Sequence, residues 1–126
     1  NFKRLHGIFS KYEELFHLPS ALPDADVSWF GFLITLKDSL RFKKAKFIAH
    51  LEKSKIQTRS YFTGNALFHP AYQDLAKKYK GPRNEFPVAT KSTVDTFFMG
   101  VWPGMTDEQL DYIEKVVDDY CKMYVR

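Results

Sequence analysis

Residues 27–36, VSWFGFLITL, limit the possible folds of this chain more than any other segment. They form an almost continuous apolar run of β-branched and aromatic residues, which follows the turn-forming Pro23 and Asp24. The run is too short to cross a membrane as a helix, which needs about 20 apolar residues. Its length and composition are typical of a strand that is buried on both faces of a sheet.

Two further segments have the composition of strands. Residues 56–62, IQTRSYF, end at the flexible pair Gly64-Asn65, and residues 96–102, TFFMGVW, end at Pro103-Gly104. Together with residues 27–36 they predict an α/β fold with a small three-stranded sheet and packed helices.

Helical periodicity fills most of the remaining chain. Apolar residues at three- and four-residue spacing predict a first helix that extends to Leu18, where Pro19 follows. Thr106 and Gln109 have the spacing of a capping box, which predicts a final helix reaching about Tyr124. We expect helices at residues 2–18, 40–53 with Ser39 as N-cap, 70–75, 87–95 and 107–124, and a loop at residues 77–87.

Composition indicates one folded domain with an unusual aromatic content. The chain has 126 residues, of which 44% are hydrophobic and 27% are charged, close to the average of globular proteins. Aromatic residues make up 17%, more than a core of this size needs. We therefore expect some of the rings to face a partner surface.

Several classes of protein are disfavoured. No apolar run is long enough for a membrane-spanning helix, and one cysteine, Cys121, permits neither an internal disulfide nor a thiolate metal cluster. A reducing compartment such as the cytoplasm is the simplest expectation. The net charge of +4 comes from dispersed lysines, typical of solvated faces rather than of nucleic-acid binding.

The residues alone do not define a complete active site. The four histidines lack paired ligand spacing, and neither a dinucleotide-binding motif nor a P-loop is present, so we expect no catalytic, cofactor or metal residues here. One segment is more specialised: Arg59 lies on a strand and precedes the turn Gly64-Asn65. Its guanidinium could bind a phosphate or a sugar hydroxyl, although an ion pair on the sheet is the commoner role for such an arginine.

Four motifs in order resemble one enzyme family. They are Ser28-Trp29-Phe30-Gly31-Phe32, Lys55-Ile56-Gln57-Thr58-Arg59, Phe62-Thr63-Gly64-Asn65 with Pro70-Ala71-Tyr72, and residues 96–106, TFFMGVWPGMT. In order and spacing they resemble the C-terminal region of the sugar 3-dehydrases, typified by CDP-4-keto-6-deoxyglucose 3-dehydrase, within the DegT/DnrJ/EryC1/StrS group. The resemblance runs over essentially the whole chain.

The resemblance implies an aspartate-aminotransferase fold, that of the PLP-dependent transferases, normally a homodimer. Such an enzyme uses pyridoxal or pyridoxamine phosphate to remove the C3 hydroxyl of a CDP-linked 4-keto-6-deoxyhexose, and in one branch an iron–sulfur cluster takes part. It also implies that residues 1–126 are the small C-terminal domain, inactive alone, with residues 1–18 as an inter-domain helix and residues 27–126 as the α/β body. The large cofactor-binding domain would then lie outside this chain.

Position by position, the resemblance assigns substrate binding to Arg59, Asn65 and Lys91. Two alternatives stay open at this point. One is the same domain of a nucleotide-sugar aminotransferase, in which a lysine would hold the cofactor. The other is a non-catalytic α/β interaction module.

Overall fold

Helices and a small sheet alternate along the chain in the computed structural model, which describes residues 1–37 and 42–125. The helices are α1 Phe2–Ser10, α2 Lys44–Lys53, α3 Gln73–Ala76, α4 Pro82–Glu85, α5 Pro87–Asp95 and α6 Asp107–Cys121, and the strands are β1 Phe16–His17, β2 Gly31–Leu36, β3 Thr58–Ser60 and β4 Thr96–Gly100. Two short 3-10 helices, Ala66–Phe68 and Pro70–Tyr72, precede α3. The predicted α/β class is confirmed.

The sheet has four strands in the order β1-β2-β4-β3, and every neighbouring pair is antiparallel. The prediction of three strands was wrong because the first helix ends at Ser10 instead of Leu18. Residues after Ser10 turn back, and Phe16 then pairs with Leu36. Apolar spacing continued through the turn because Tyr12 and Leu15 are buried there as well.

Strand β2 is buried on one face, which corrects the expectation of burial on both. Phe32, Ile34 and Leu36 have no exposed surface, whereas Leu33 and Thr35, which alternate with them, are only partly buried. Antiparallel sheets commonly pack one face on a core and leave the other face open. Leu33 on the open side of β2 is apolar and Gly31 has no side chain, so the alternation could not be read from the sequence.

Three helices cover the buried face. Leu5, Ile8 and Phe9 of α1 pack in one cluster with Phe47 of α2 and Val117 of α6. Because α1 shares this core with residues of the body, residues 2–10 are structurally part of the α/β unit. Whether the segment also contacts another domain stays a prediction.

Polar contacts fix α1 against α6. Arg4 bonds to Asp111 and to Glu114, and Lys11 also bonds to Glu114. The hydrogen bond from Lys11, together with the charges of Lys11 and Arg4, lowers the pKa of Glu114. The Tyr12 hydroxyl donates to Asp118 at 2.7 Å, and burial together with this bond raises the pKa of Tyr12.

Several predicted boundaries shift. Strand β3 is confined to Thr58–Ser60, α6 ends at Cys121 rather than Tyr124, and the predicted loop at residues 77–87 contains α4. The Thr106 and Gln109 capping box is present, as predicted. Helix α2 begins at Lys44 with Lys43 as its N-cap, so the predicted helix over residues 40–53 starts too early, and the predicted Ser39 cap lies outside the described residues.

Candidate functional site

The uncovered side of the sheet carries an exposed aromatic surface. Arg59 pairs with Phe98 across β3 and β4, and Phe98 pairs with Leu33 across β4 and β2. Residues directly opposite in an antiparallel pair project to the same face, so all three lie on the side away from the core. We call the surface formed by Phe30, Leu33, Arg59, Phe62 and Phe98 the open face.

Three phenylalanines form a contiguous cluster on the open face. The ring centroid of Phe98 lies 5.7 Å from that of Phe30 and 5.8 Å from that of Phe62, and the Phe30 and Phe62 centroids are 6.1 Å apart. Phe30 is 77% exposed and Phe62 is 68% exposed. The chain therefore presents two large aromatic side chains to solvent while both remain in contact with the sheet.

Local structure holds both rings in place. Trp29 stacks on Phe2 of α1 with centroids 4.1 Å apart and an interplanar angle of 6°, which anchors the residue just before Phe30. Phe62 has a positive φ of 40°, a conformation that is unusual for a bulky residue. Its backbone N–H donates to the Ser60 carbonyl at 2.9 Å, closing a tight turn immediately after β3.

Gly31 leaves room for the third ring. A Cβ added at Gly31 would lie 2.8 Å from Cδ2 of Phe98 and 3.1 Å from the carbonyl oxygen of Met99. Such contacts are too close to be accommodated without movement, so the Phe98 ring can lie over the backbone only because residue 31 is glycine.

Arg59 is exposed beside this cluster. Its guanidinium forms no ion pair with any carboxylate in residues 1–37 or 42–125. The charge of Arg59 acts on the Glu52 carboxylate. That carboxylate accepts hydrogen bonds from the hydroxyl and the backbone N–H of Thr58, at 2.7 and 2.5 Å. These bonds, with a smaller effect of the Arg59 charge, lower the pKa of Glu52. The common ion-pair role for Arg59 is therefore not what the structure shows.

Asn65 is buried and is used within the protein. Its side-chain oxygen accepts from the N–H of Leu67 at 3.1 Å, which caps the first 3-10 helix, and its side-chain nitrogen donates to Thr90 at 3.2 Å. Its backbone N–H donates to the Thr93 hydroxyl at 2.6 Å. Asn65 thus attaches the loop after β3 to α5. A direct substrate contact by Asn65 stays a prediction.

Lys91 also bonds within the chain. Its ammonium donates to the Leu36 carbonyl at 2.8 Å and to Asp95 at 3.0 Å. Lys44 completes this group by donating to the carbonyls of Thr93 at 2.6 Å and Thr96 at 3.3 Å, and burial lowers the pKa of Lys44. Lys44 thereby satisfies a carbonyl in the last turn of α5, and Lys91 joins α5 to the end of β2.

The structure therefore separates the three predicted residues. Arg59 lies with the aromatic cluster, whereas Asn65 and Lys91 bond to different partners around α5. The predictions missed Phe30, Phe62 and Phe98 as site residues, although the high aromatic content was the signal for them. A partner surface for these rings stays a prediction.

A second concave region lies on the other side of the sheet. A cavity of about 620 Å³ opens between β3, β4 and the start of α6, with Met99, Met105 and Ile113 in its lining. Trp102 and Tyr112 also line this cavity, and the Tyr112 hydroxyl donates to the Ser54 carbonyl at 3.2 Å. None of the predicted site residues lines this cavity.

The part of the chain that the structure describes has neither a metal-binding cluster nor a membrane-spanning helix. Across residues 1–37 and 42–125, no group of three or more histidine, cysteine, aspartate or glutamate side chains is placed to hold a metal ion. Within the same residues, no helix is both long and apolar enough to cross a bilayer.

Cys121 is buried, and its thiol has a raised pKa, as expected of a structural cysteine. Burial is the larger cause of this shift, and the nearby charge of Asp118 is the smaller one.

Residues 1–118 match the DegT/DnrJ/EryC1/StrS aminotransferase family. The chain belongs to this family. It is 34% identical over 120 residues to a dTDP-4-dehydro-2,6-dideoxy-D-glucose 3-dehydratase of Saccharopolyspora spinosa, covering 95% of this chain and 25% of that protein. It is 32% identical to the lipopolysaccharide biosynthesis protein RfbH of Salmonella typhimurium, covering 95% of this chain and 27% of RfbH. The chain thus spans about a quarter of the length of these relatives.

Solved structures share the fold of this DegT/DnrJ/EryC1/StrS chain. A GDP-4-keto-6-deoxymannose-3-dehydratase, ColD, has a TM-score of 0.67 at 20% identity, over 91% of this chain and 29% of that chain. A putative sugar aminotransferase of Streptococcus pneumoniae has a TM-score of 0.70 at 15% identity, over 97% of this chain and 31% of its own. The predicted fold family is therefore confirmed, and it includes both kinds of enzyme.

Proposed function

We propose that this chain is the small C-terminal domain of a nucleotide-sugar 3-dehydratase, an enzyme that removes the C3 hydroxyl of a CDP-linked 4-keto-6-deoxyhexose. The match to a 3-dehydratase named for a dTDP-linked sugar, at 34% identity over 95% of the chain, supports the 3-dehydration. The CDP group of the proposal comes from the resemblance of the sequence motifs. The wider family supports the coarser statement that the protein is a nucleotide-sugar enzyme of the dehydratase and aminotransferase type.

The open face is the surface on which we propose that this domain meets its substrate. Arg59 is an exposed cation without an ion pair among the described residues, so its planar fork is available for a phosphate. Asn65 and Lys91 would act beside it by fixing the loop after β3 and the position of α5. The domain would then orient the substrate, and the reacting groups would come from elsewhere in the protein.

Neither of the two partly buried lysines among the described residues fits the lysine that would hold the expected cofactor, pyridoxal or pyridoxamine phosphate. The partly buried lysines Lys44 and Lys91 bond to backbone carbonyls and to Asp95, so neither amine is placed to hold an aldehyde. When bound, such a cofactor supplies an electron sink for breaking bonds next to a carbonyl carbon. We propose that a larger domain of a longer chain holds it, and that this protein is a homodimer.

A nucleotide-sugar aminotransferase is the second candidate. It is favoured by the family's description, which names aminotransferases. The two reactions differ in the fate of the C3 oxygen: a dehydratase expels it, whereas an aminotransferase keeps it and places nitrogen at C4.

The fate of that oxygen separates the candidates. We would express the longest reading frame that contains these residues and supply a CDP-linked 4-keto-6-deoxyhexose labelled with heavy oxygen at C3, together with pyridoxamine phosphate. Mass spectrometry should show that the sugar loses the label. Retention of the label, with gain of an amine when glutamate is supplied, would favour the aminotransferase and reject the dehydratase.

A further inference from the structure

We propose that the open face binds the nucleoside diphosphate half of the substrate, with the base on the ring surface of Phe30 and Phe62 and the diphosphate on Arg59. This inference rests on the proposed function and adds to it a specific site within this chain. It uses the two chemical features that a nucleotide offers, a flat aromatic base and a doubly charged anion.

The aromatic cluster has the geometry of a stacking platform. Its centroids are separated by 5.7 to 6.1 Å, within the range of about 4.5–7 Å in which two rings are in direct contact. No third ring fits between rings that already touch, so a base would lie on the outer surface of Phe30 and Phe62. Stacking on aromatic side chains accepts any base, which suits a nucleotide-binding surface.

Within the described residues nothing covers the outer surface of this cluster. Phe30 and Phe62 keep 77% and 68% of their surface exposed. Phe62 also adopts a φ of 40°, and positive φ values at non-glycine residues recur at ligand-binding sites. The exposed rings leave an apolar surface on which a planar ligand can lie.

Charge indicates the kind of ligand. Arg59 lies directly opposite Phe98 in the β3–β4 pair, so their Cβ atoms are about 4.5–5.5 Å apart and an arginine side chain is long enough to extend from there along the cluster. A guanidinium binds phosphate oxygens through two parallel hydrogen bonds. Exposed rings beside an exposed cation match the two halves of a nucleotide, its base and its diphosphate.

Titrations of the isotope-labelled chain with CDP, cytidine and inorganic pyrophosphate, followed by NMR, test the proposal. Saturable shifts should appear at the amides of Phe30, Arg59 and Phe62. The change Arg59→Gln should weaken CDP binding about tenfold and leave cytidine binding unchanged. Replacing both exposed rings, Phe30→Leu with Phe62→Leu, should weaken CDP and cytidine alike by about tenfold, because leucine keeps an apolar surface but cannot stack.

Matched controls remove similar groups elsewhere. Arg83→Gln removes an exposed guanidinium of α4, and Trp102→Leu removes an exposed ring at the separate cavity, so neither should change CDP binding. Shifts confined to Trp102 and Tyr112, no saturable shifts, or equal losses in Arg59→Gln and Arg83→Gln would overturn the site.

The inference and the proposed function can fail separately. If CDP binds on the open face but the longer protein leaves the C3 oxygen in place, the dehydratase is rejected and the nucleotide site stands. If the oxygen is lost but the ring and arginine changes leave CDP binding intact, the site is rejected and the dehydratase stands.

Discussion

Gly64→Ala should destabilise the chain, because residue 64 makes the turn that carries Asn65. Gly64 has a φ of +59°, in the left-handed region, and a Cβ added there would lie 3.0 Å from both Cα and Cβ of Thr93 and closer still to the Thr93 hydroxyl. That hydroxyl accepts the 2.6 Å hydrogen bond from the backbone of Asn65. An alanine would therefore separate the loop from α5.

The expected cost combines backbone strain with the loss of this contact. A non-glycine residue in the left-handed region costs about 1–2 kcal/mol, and a lost intramolecular hydrogen bond costs about 0.5–1.5 kcal/mol. Alanine recovers about 0.4–1 kcal/mol by restricting the unfolded chain. Displacing Thr93 adds a packing cost of about 1–3 kcal/mol, so we expect a loss of roughly 1.5–6 kcal/mol in the free energy of unfolding.

Urea denaturation followed by circular dichroism measures this loss directly. Gly7→Ala is the matched control, because an added Cβ there meets nothing within 4 Å and the residue lies within α1. Removing a glycine from a helix interior should stabilise the chain by about 0.5–1 kcal/mol. The reasoning is refuted if Gly64→Ala unfolds at the same urea concentration as the original chain, or is stabilised as much as Gly7→Ala.

Three further predictions concern stability and reactivity. Thr106→Ala removes the capping box of α6 and should cost about 1 kcal/mol in urea denaturation, whereas Thr106→Ser should cost less; equal losses would argue against the cap. The pKa of Glu114 is lowered in the folded chain below its ordinary value of 4.5 by Lys11, so the unfolded chain binds more protons near that pH. The free energy of unfolding should therefore fall as pH drops below about 4.5, and Glu114→Gln should flatten this dependence; an unchanged slope would contradict it. The raised pKa and burial of Cys121 predict that iodoacetamide labels its thiol at pH 8 only after denaturation, which mass spectrometry would detect, and rapid labelling of the native chain would contradict this.

Local chemistry made some elements predictable. The spacing of Thr106 and Gln109 indicates a capping box, and proline is favoured in the first turn of a helix, where Pro87 lies. Helices α6 and α5 were therefore found from the sequence. Strand β1 was missed because Phe16 is buried in both a helical and a strand conformation, and only its pairing with Leu36 selects the strand.

The candidate site was predictable only in part. Arg59 was found through its motif, but its lack of an ion pair among the described residues is a property of the tertiary structure, in which Glu52 bonds through Oε1 to Thr58. Phe30 and Phe98 lie far apart in sequence and meet only through the register of β2 with β4. Such long-range pairing leaves no mark in the local pattern.

The proposed role of Arg59 on the open face is to hold the substrate of a nucleotide-sugar enzyme. Its most direct test is the KM for a CDP-linked 4-keto-6-deoxyhexose in the longer protein, measured by loss of the labelled C3 oxygen. Arg59→Gln should raise KM about tenfold or more, as expected when a charge-assisted bond to phosphate is lost. Arg83→Gln should leave KM unchanged. Equal KM values for Arg59→Gln, Arg83→Gln and the original protein would contradict the claim.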